Sequence, residues 1–236
     1  MQHYNSVFVL TGAGISTESG IPDYRSAQTG LWNQMDPMNV SSLYALQREP
    51  TIFYQANVKH WLTYYSAEPN DAHKALALLE KKGHVRGIVT QNIDGLHQKA
   101  GSVKVWEVHG HLRTCSCLGC GKRYSFYQLI HQLETGRYVP RCAKCNQLLR
   151  PDVVLFGDQM SLDFFRARDA LKRAELLVVV GSSLQVYPAA ELPGLAQKIV
   201  IINLEPTPWD DQAHLVIRRS AGEVFRELIT AMGYTV

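Results

Sequence analysis

Four of the five cysteines fall into two Cys-x-x-Cys pairs, Cys117-Leu118-Gly119-Cys120 and Cys142-Ala143-Lys144-Cys145. A pair at that spacing sets two thiolates on one side of a turn, and two such pairs complete a tetrahedral S4 site for zinc. Four thiolates leave no open coordination position, so the expected zinc, held by Cys117, Cys120, Cys142 and Cys145, is structural and not catalytic. A redox pair, which needs only one Cys-x-x-Cys, and buried free thiols are the alternatives. Cys115, two residues before the first ligand, is a competitor for the metal.

A second set of residues suits an anion. The apolar run 6–11 leads directly into Gly12-Ala13-Gly14-Ile15-Ser16-Thr17. A tight glycine turn between a strand and a helix lets a pyrophosphate approach bare backbone, with the helix N–H groups facing the anion. Thr17 stands where a dinucleotide fingerprint has its third glycine, and a purely structural turn explains the same residues. The acidic residue that usually follows the second strand of a dinucleotide fold is not evident, because the next strand ends in Gln91-Asn92-Ile93-Asp94. That argues against an ordinary dehydrogenase.

These residues need a frame, and the sequence supplies one. Of 236 positions 46% are hydrophobic, enough for one domain to bury a core of its own. Apolar runs at 6–11, 85–90, 103–108, 152–156, 176–180 and 199–202 are near-continuous, as in strands of a parallel sheet covered on both faces. Between them the spacing predicts a helix over 72–82, capped by Asn70 or Asp71 and stopped by Gly83, and another from Ser161 to about 173. A capping box, Ser220-x-x-Glu223, opens a last helix. The expected fold is α/β, a Rossmann-like doubly wound parallel sheet. Two segments break the alternation: 33–69, read as a helical insertion, and 115–148, read as a metal-stapled module inserted in the same single domain. The charge balance, 24 Lys+Arg against 21 Asp+Glu with basic runs no longer than pairs, excludes a polybasic nucleic-acid or membrane tract. No apolar run approaches the roughly 18 residues of a membrane span, and the N-terminus lacks a signal-peptide pattern, so a cytoplasmic protein is expected.

In order along the chain stand GAGIS (12–16), SGIPDYR (19–25), GLW (30–32), NDAHKAL (70–76), TQNIDGLHQKAG (90–101), EVHG (107–110), the two Cys-x-x-Cys pairs, RPDVVLFGDQM (150–160), GSSLQVYPAA (181–190) and INLE (202–205). This ordered set, spanning nearly the whole chain, resembles the sirtuins, NAD-dependent protein lysine deacylases. The resemblance implies a large Rossmann-like domain, a smaller zinc-binding and helical lobe, and an active cleft between them. It also implies a reaction in which the amide oxygen of an acyl-lysine attacks C1′ of the nicotinamide ribose of NAD. Nicotinamide leaves, and the acyl group ends on ADP-ribose.

Carried over residue by residue, the resemblance assigns Gly12, Ala13, Gly14, Ser16, Thr17, Asp23, Tyr24 and Arg25 to a phosphate loop and lid, with Tyr24 where the family usually has Phe. Gln91 and Asn92 bind ribose and order water, Asn92 counting as catalytic; Ile93 and Asp94 hold the nicotinamide carboxamide. Gly181, Ser182 and Ser183 face phosphate or ribose, Asn203, Leu204 and Glu205 the adenosine ribose, and Ala221 the adenine. His109 is the expected general base, since imidazole titrates near neutrality and a ribose hydroxyl must lose a proton. Nine histidines are present, and His111 is its local competitor. Val153, Val154, Phe156 and Gly157 are expected to pair with the substrate backbone and to shape an acyl-lysine tunnel. Gly157-Asp158 departs by one methylene from the family's Gly-Glu.

Family members that prefer succinyl or glutaryl groups carry a Tyr-x-x-Arg pair in the helical insertion. Placed at Tyr54 and Asn57 here, the pair lacks its cation, so acetyl is expected over succinyl. The implied partners are acylated protein lysines, without direct nucleic acid or membrane contact, and a monomer is compatible with the sequence. Mono-ADP-ribosyl transfer or NAD hydrolysis on the same site is the rival reading, and a non-catalytic binding module for acylated tails is another.

Overall fold

A computed structural model describes residues 4–23, 30 and 36–235. Tyr24, Arg25 and Trp32 lie outside the described residues. The large sheet holds β1 (Val7–Thr11), β2 (Gly87–Thr90), β3 (Val105–Glu107), β7 (Leu176–Val180), β8 (Ile199–Ile202) and β9 (Leu215–Ile217), in the order β3-β2-β1-β7-β8-β9. Every neighbouring pair is parallel. All five residues of β1 and of β7 are buried, as continuous apolar strands between two helical layers should be. Val7, Val9 and Val178 pack with α4 (Asp71–Lys81) and α8 (Ala221–Ala231) on one face; Phe8, Leu10 and Val179 pack with α7 (Leu162–Leu171) on the other. The expected α/β fold with a parallel sheet is what the chain forms.

The helix ends follow local chemistry. Asn70 Oδ1 accepts from Ala72 N at the start of α4, Ser161 Oγ from Phe164 N at α7, and Ser220 Oγ from Glu223 N at α8. Run 152–156 does not join the parallel sheet. Its strand, β6 (Leu149–Val153), lies antiparallel to β4 (Gly110–Cys117) in a small sheet of order β5-β4-β6, with β5 at Arg123–Ser125. An apolar run reports burial, not which sheet buries it. Strand β9 was not expected, being three residues long and half exposed at the sheet edge.

Helices α2 (Leu43–Arg48) and α3 (Pro50–Ser66) share one core with the small sheet and α6 (Phe126–Glu134), and the short α1 (Pro37–Val40) lies against them with no buried residue of its own. Trp61 of α3 meets Phe126 edge-on at 5.4 Å. The two segments that break the βα alternation therefore pack as one lobe.

Under the sheet end lie two buried imidazoles, His73 of α4 and His97 of α5 (Leu96–Lys99), 4.9 Å apart. Burial lowers the His73 pKa from 6.5 to about 4, and that of His97 falls in the same direction. A depressed folded-state pKa means the unfolded chain binds more protons between the two values. Stability is thus full above pH about 6.5 and falls as pH drops toward 4, by on the order of 3 kcal/mol for His73 alone. Urea unfolding at steps from pH 7.5 to 4.5 is expected to show this slope, flattened in His73→Gln.

Candidate active site

The carboxyl ends of β1 and β7 are adjacent where the strand order reverses, the place where open parallel sheets form a ligand crevice. The loops that follow press together: Gly12 N donates to Val180 O and Gly14 N to Gly181 O at 2.8 Å. A Cβ on Gly12 would stand 2.8 Å from Gly181 O, and one on Gly181, itself at φ +58°, 2.3 Å from Ile15 N. The glycines are required by this crossing of backbones, and the same bareness leaves main chain exposed to a ligand. The chain continues from Gly12 as a 3-10 helix over Ala13–Ser19 and not as an α-helix.

One cavity of about 740 Å3 runs from these loops to α3. It gathers Gly12, Ala13, Gly14, Ser16, Asp23, Gln91, Asn92, Ile93, Asp94, His109, Gly181, Ser182, Ser183, Asn203 and Glu205. Val153, Val154, Phe156 and Gly157 line it as well. Among the described residues, three of those the sequence assigned to NAD stay off the wall. Thr17 is exposed with its hydroxyl donating to Gly14 O, Leu204 is exposed, and Ala221 is buried at the start of α8.

At the end of β2, Asn92 Nδ2 donates to Gly12 O and Ser16 Oγ, both at 3.1 Å, which turns its Oδ1 away from those partners. Ser16 Oγ donates to Asp94 Oδ2 at 2.7 Å, and Leu96 N donates to Asp94 Oδ1. Burial nevertheless pushes the Asp94 carboxyl above its ordinary range. Gln91 Nε2 donates to Ser182 Oγ at 2.9 Å, tying the β2 loop to the β7 loop.

His109 sits where β3 gives way to β4. Gly110 (φ +77°) makes that turn, and a Cβ there would stand 2.3 Å from Asp152 O. His109 Nδ1 lies 2.9 Å from Gln91 O. A carbonyl can only accept, so Nδ1 carries the proton and Nε2 is the basic nitrogen. Burial lowers the ring's pKa, only partly offset by the Gln91 carbonyl, so the ring is neutral at pH 7. His111 does not line the cavity; its Nδ1 accepts from Arg113 N.

Beyond β6 the backbone hangs between both lobes: Val154 N donates to His109 O, Phe156 N to Ser41 O, and Leu43 N to Phe156 O. Arg150 clamps the segment, donating to both Asp158 oxygens and, at 2.8 Å, to Val153 O. Leu155 N also donates to Asp158 Oδ2.

Two stretches of wall escaped sequence reasoning. Helix α3 turns Phe53, Ala56, Asn57, His60, Trp61 and Tyr64 to the cavity, a stripe at helical spacing that the aromatic-rich sequence disguised as core. Gln185, Val186, Tyr187 and Pro188 line the same cavity, and their position one residue after Gly181-Ser182-Ser183 is the available signal. Of the pair placed at Tyr54 and Asn57, Asn57, the position without a cation, lines the cavity. Tyr54 is fully buried beside the stripe, its hydroxyl donating to Leu149 O, while Asn57 is on the wall with its amide donating to Val40 O and Phe53 O.

The Sγ atoms of Cys117, Cys120, Cys142 and Cys145 all lie within 4.8 Å of one another, with Cys117 to Cys145 at 3.4 Å and Cys120 to Cys142 at 3.7 Å. A tetrahedron with Zn–S bonds of about 2.3 Å has edges of about 3.8 Å. Gly119 N and Cys120 N point at Cys117 Sγ, and Lys144 N at Cys142 Sγ, the amide donors a thiolate cluster needs. The four residues fit one zinc ion and leave it no open position. Cys115 is not in the group. It is buried against Ser125 O, and burial, with Asp152 nearby, pushes its thiol up to about 12.

The sequence profile of the Sir2 family matches residues 12–188. The chain is 50% identical over 220 residues to NAD-dependent protein deacetylase 2 of Caldanaerobacter subterraneus subsp. tengcongensis, covering 93% of this chain and 88% of that one. It is 45% identical to NAD-dependent protein deacetylase 1 of Geobacillus kaustophilus, covering 93% and 90%. The fold is similar to that of a Sir2 complex with p53 peptide and NAD+, with TM-score 0.91 and 39% identity over 99% of this chain and 96% of that one. A profile match over most of the chain, relatives of this identity along nearly its full length and one shared fold agree with the motifs laid out above: the chain belongs to the Sir2 family.

Proposed function

We propose that this chain is an NAD-dependent protein lysine deacetylase, one catalytic domain whose segments 33–69 and 115–148 form the substrate-side lobe. The observation that carries the reading is the neutral His109, its Nδ1 spent on Gln91 O, on a cavity wall shared with the paired glycine loops and the 153–157 segment. NAD supplies the ribose carbon that accepts the acyl oxygen and the nicotinamide that leaves. Gly12, Gly14, Ser182 and Ser183 offer backbone and hydroxyl groups to its diphosphate and ribose. Asn203 and Glu205 face the adenosine end. Asp94 and Ile93 hold the carboxamide, and Asn92 presents Oδ1 to the ribose or its water. His109 Nε2 takes the proton of a ribose hydroxyl, whose oxygen then bonds to the acyl carbon; one water adds there and the bond from that carbon to the lysine nitrogen breaks, leaving free lysine and acyl-ADP-ribose. The lysine chain enters between Val153–Gly157 and Gln185–Pro188, adding its backbone as a strand.

The partners of this reading are acetylated lysines of cytoplasmic proteins. Mass spectrometry of an acetyl-lysine peptide incubated with the enzyme should show free lysine peptide, nicotinamide and O-acetyl-ADP-ribose in equal amounts, and only with NAD. ADP-ribosylated protein, or nicotinamide released without acyl peptide, replaces the reading with protein ADP-ribosylation or NAD hydrolysis.

Two further outcomes follow. Among the described wall residues of α3, His60 is the one that could become a cation, and burial, then the Lys59 charge, hold its pKa below 6.5. The acyl end therefore carries no cation from α3 at pH 8, and deacetylation should outpace desuccinylation in matched peptides; the reverse order rejects this account of the wall. Asp158→Asn breaks a largely buried ion pair that shapes the 153–157 segment. It is expected to raise the KM for acetyl peptide about tenfold, with the KM for NAD unchanged, whereas Asp158→Glu keeps the pair and most of the affinity.

A further inference from the structure

Thr11 and Thr90 end β1 and β2, and they are directly paired in the parallel register. Both are buried, although threonine is mostly exposed in folded proteins, so their hydroxyls need partners inside. Their hydroxyls form a directed chain. Thr11 Oγ1 donates to Thr90 Oγ1 at 2.8 Å, and Thr90 Oγ1 also accepts from Asn92 N at 3.1 Å. With its own proton spent on Thr90, Thr11 Oγ1 accepts from the Nε2 of His97 at 2.9 Å. His97 is 1% exposed, and its Nδ1 has no hydrogen-bond partner among the described residues, so the ring's one hydrogen bond goes to Thr11.

Among the described residues the chain reaches the cavity through the backbone N–H of Asn92. Asn92 is thereby held twice: by its main chain on Thr90, and by its side-chain amide on Gly12 O and Ser16 Oγ. The second hold fixes where Nδ2 points; the first fixes the backbone from which the side chain departs. A purely structural filling of this space needs neither a hydroxyl at Thr11 nor an imidazole at His97. We propose that His97, Thr11 and Thr90 form a buried relay that positions Asn92 for NAD cleavage, with His97 a positioning residue that touches no substrate. The proposal rests on the assignment of Asn92 to the reaction.

Exchange of labelled nicotinamide into NAD in the presence of acetyl peptide, measured on the full chain, separates the possibilities. Thr90→Val is nearly isosteric, and at unchanged melting temperature it should slow exchange about tenfold or more, since small misplacements at a reacting centre have effects of that size. The KM for acetyl peptide should not move. His97→Gln, which keeps an N–H donor, should retain most of the rate that His97→Leu loses. In the Asn92→Ala background, Thr90→Val should have no further effect. Equal losses in His97→Gln and His97→Leu, a full extra loss in the double variant, or a wild-type rate in folded Thr90→Val would overturn the relay. If Asn92→Ala alone exchanges at the wild-type rate, the assignment of Asn92 falls and the relay with it. If Asn92→Ala is slow and Thr90→Val is not, the relay alone falls.

Discussion

His109→Ala is expected to lower NAD-dependent deacetylation by about 10²–10⁴-fold, the range a positioned general base contributes, while circular dichroism and melting temperature stay at wild-type values. The imidazole is half on the cavity wall, and its only described hydrogen bond is to Gln91 O, so its removal leaves no buried charge behind. The pH profile gives a second handle. Burial holds the His109 pKa below 6.5, so the basic form persists to lower pH than an exposed histidine would allow. On the acid side kcat/KM should fall along a limb whose midpoint lies under 6.5, and that limb should vanish from the residual activity of the variant. His111→Ala, off the cavity wall, should alter turnover little. Near-wild-type turnover in a folded His109→Ala removes the proposed base.

The contrast between His109 and His111 shows what the residues alone could and could not say. Both stand beside Gly110, and the resemblance was needed to prefer one; the reason is visible only in space, where the Gly110 turn sends His109 to the cleft and His111 into β4. Strand-end clusters such as Gln91–Asp94 were legible because continuous apolar strands announce their own carboxyl ends. The α3 wall was not. Phe53, Trp61 and Tyr64 are both core and cavity lining, and a helical stripe of aromatics reads the same in either role. Tyr54 and its neighbour Phe53 show why, since one position along a helix is about 100° of rotation, enough to move a side chain from a cavity to a neighbouring core. The glycine loop was read for its ligand, yet its closest contacts are with the β7 loop, a long-range partner that no local motif names.

Loss of zinc is expected to lower turnover in step with loosening of the lobe, although no step of the reaction passes through the metal. The four thiols lie at one end of β4 and just before β6; the other ends of those strands are Gly110, next to His109, and Val153, the start of the proposed substrate segment. Without the ion, the two cysteine pairs are joined by the backbone hydrogen bonds Leu118 N to Leu148 O and Cys142 N to Gln147 O and by apolar packing among the described residues, whereas structural zinc contributes about 10–16 kcal/mol in small zinc-finger peptides. Here Phe126, Leu129 and Trp61 supply the lobe with apolar packing of its own, so partial loosening and not complete unfolding of the chain is the expected result. The parallel sheet, which draws on separate cores, should keep its share of secondary structure. Treatment with a strong chelator, or Cys120→Ser, should remove about one equivalent of zinc, expose Trp61 fluorescence to quenchers, and reduce deacetylation in proportion to the fraction of lobe lost. Refolding with cobalt should restore turnover together with the lobe. A zinc-free protein that keeps both its lobe fluorescence and its turnover would show that the cysteine cluster does not hold the site; one that keeps the lobe and loses turnover would assign the metal a place in the chemistry that its closed coordination denies.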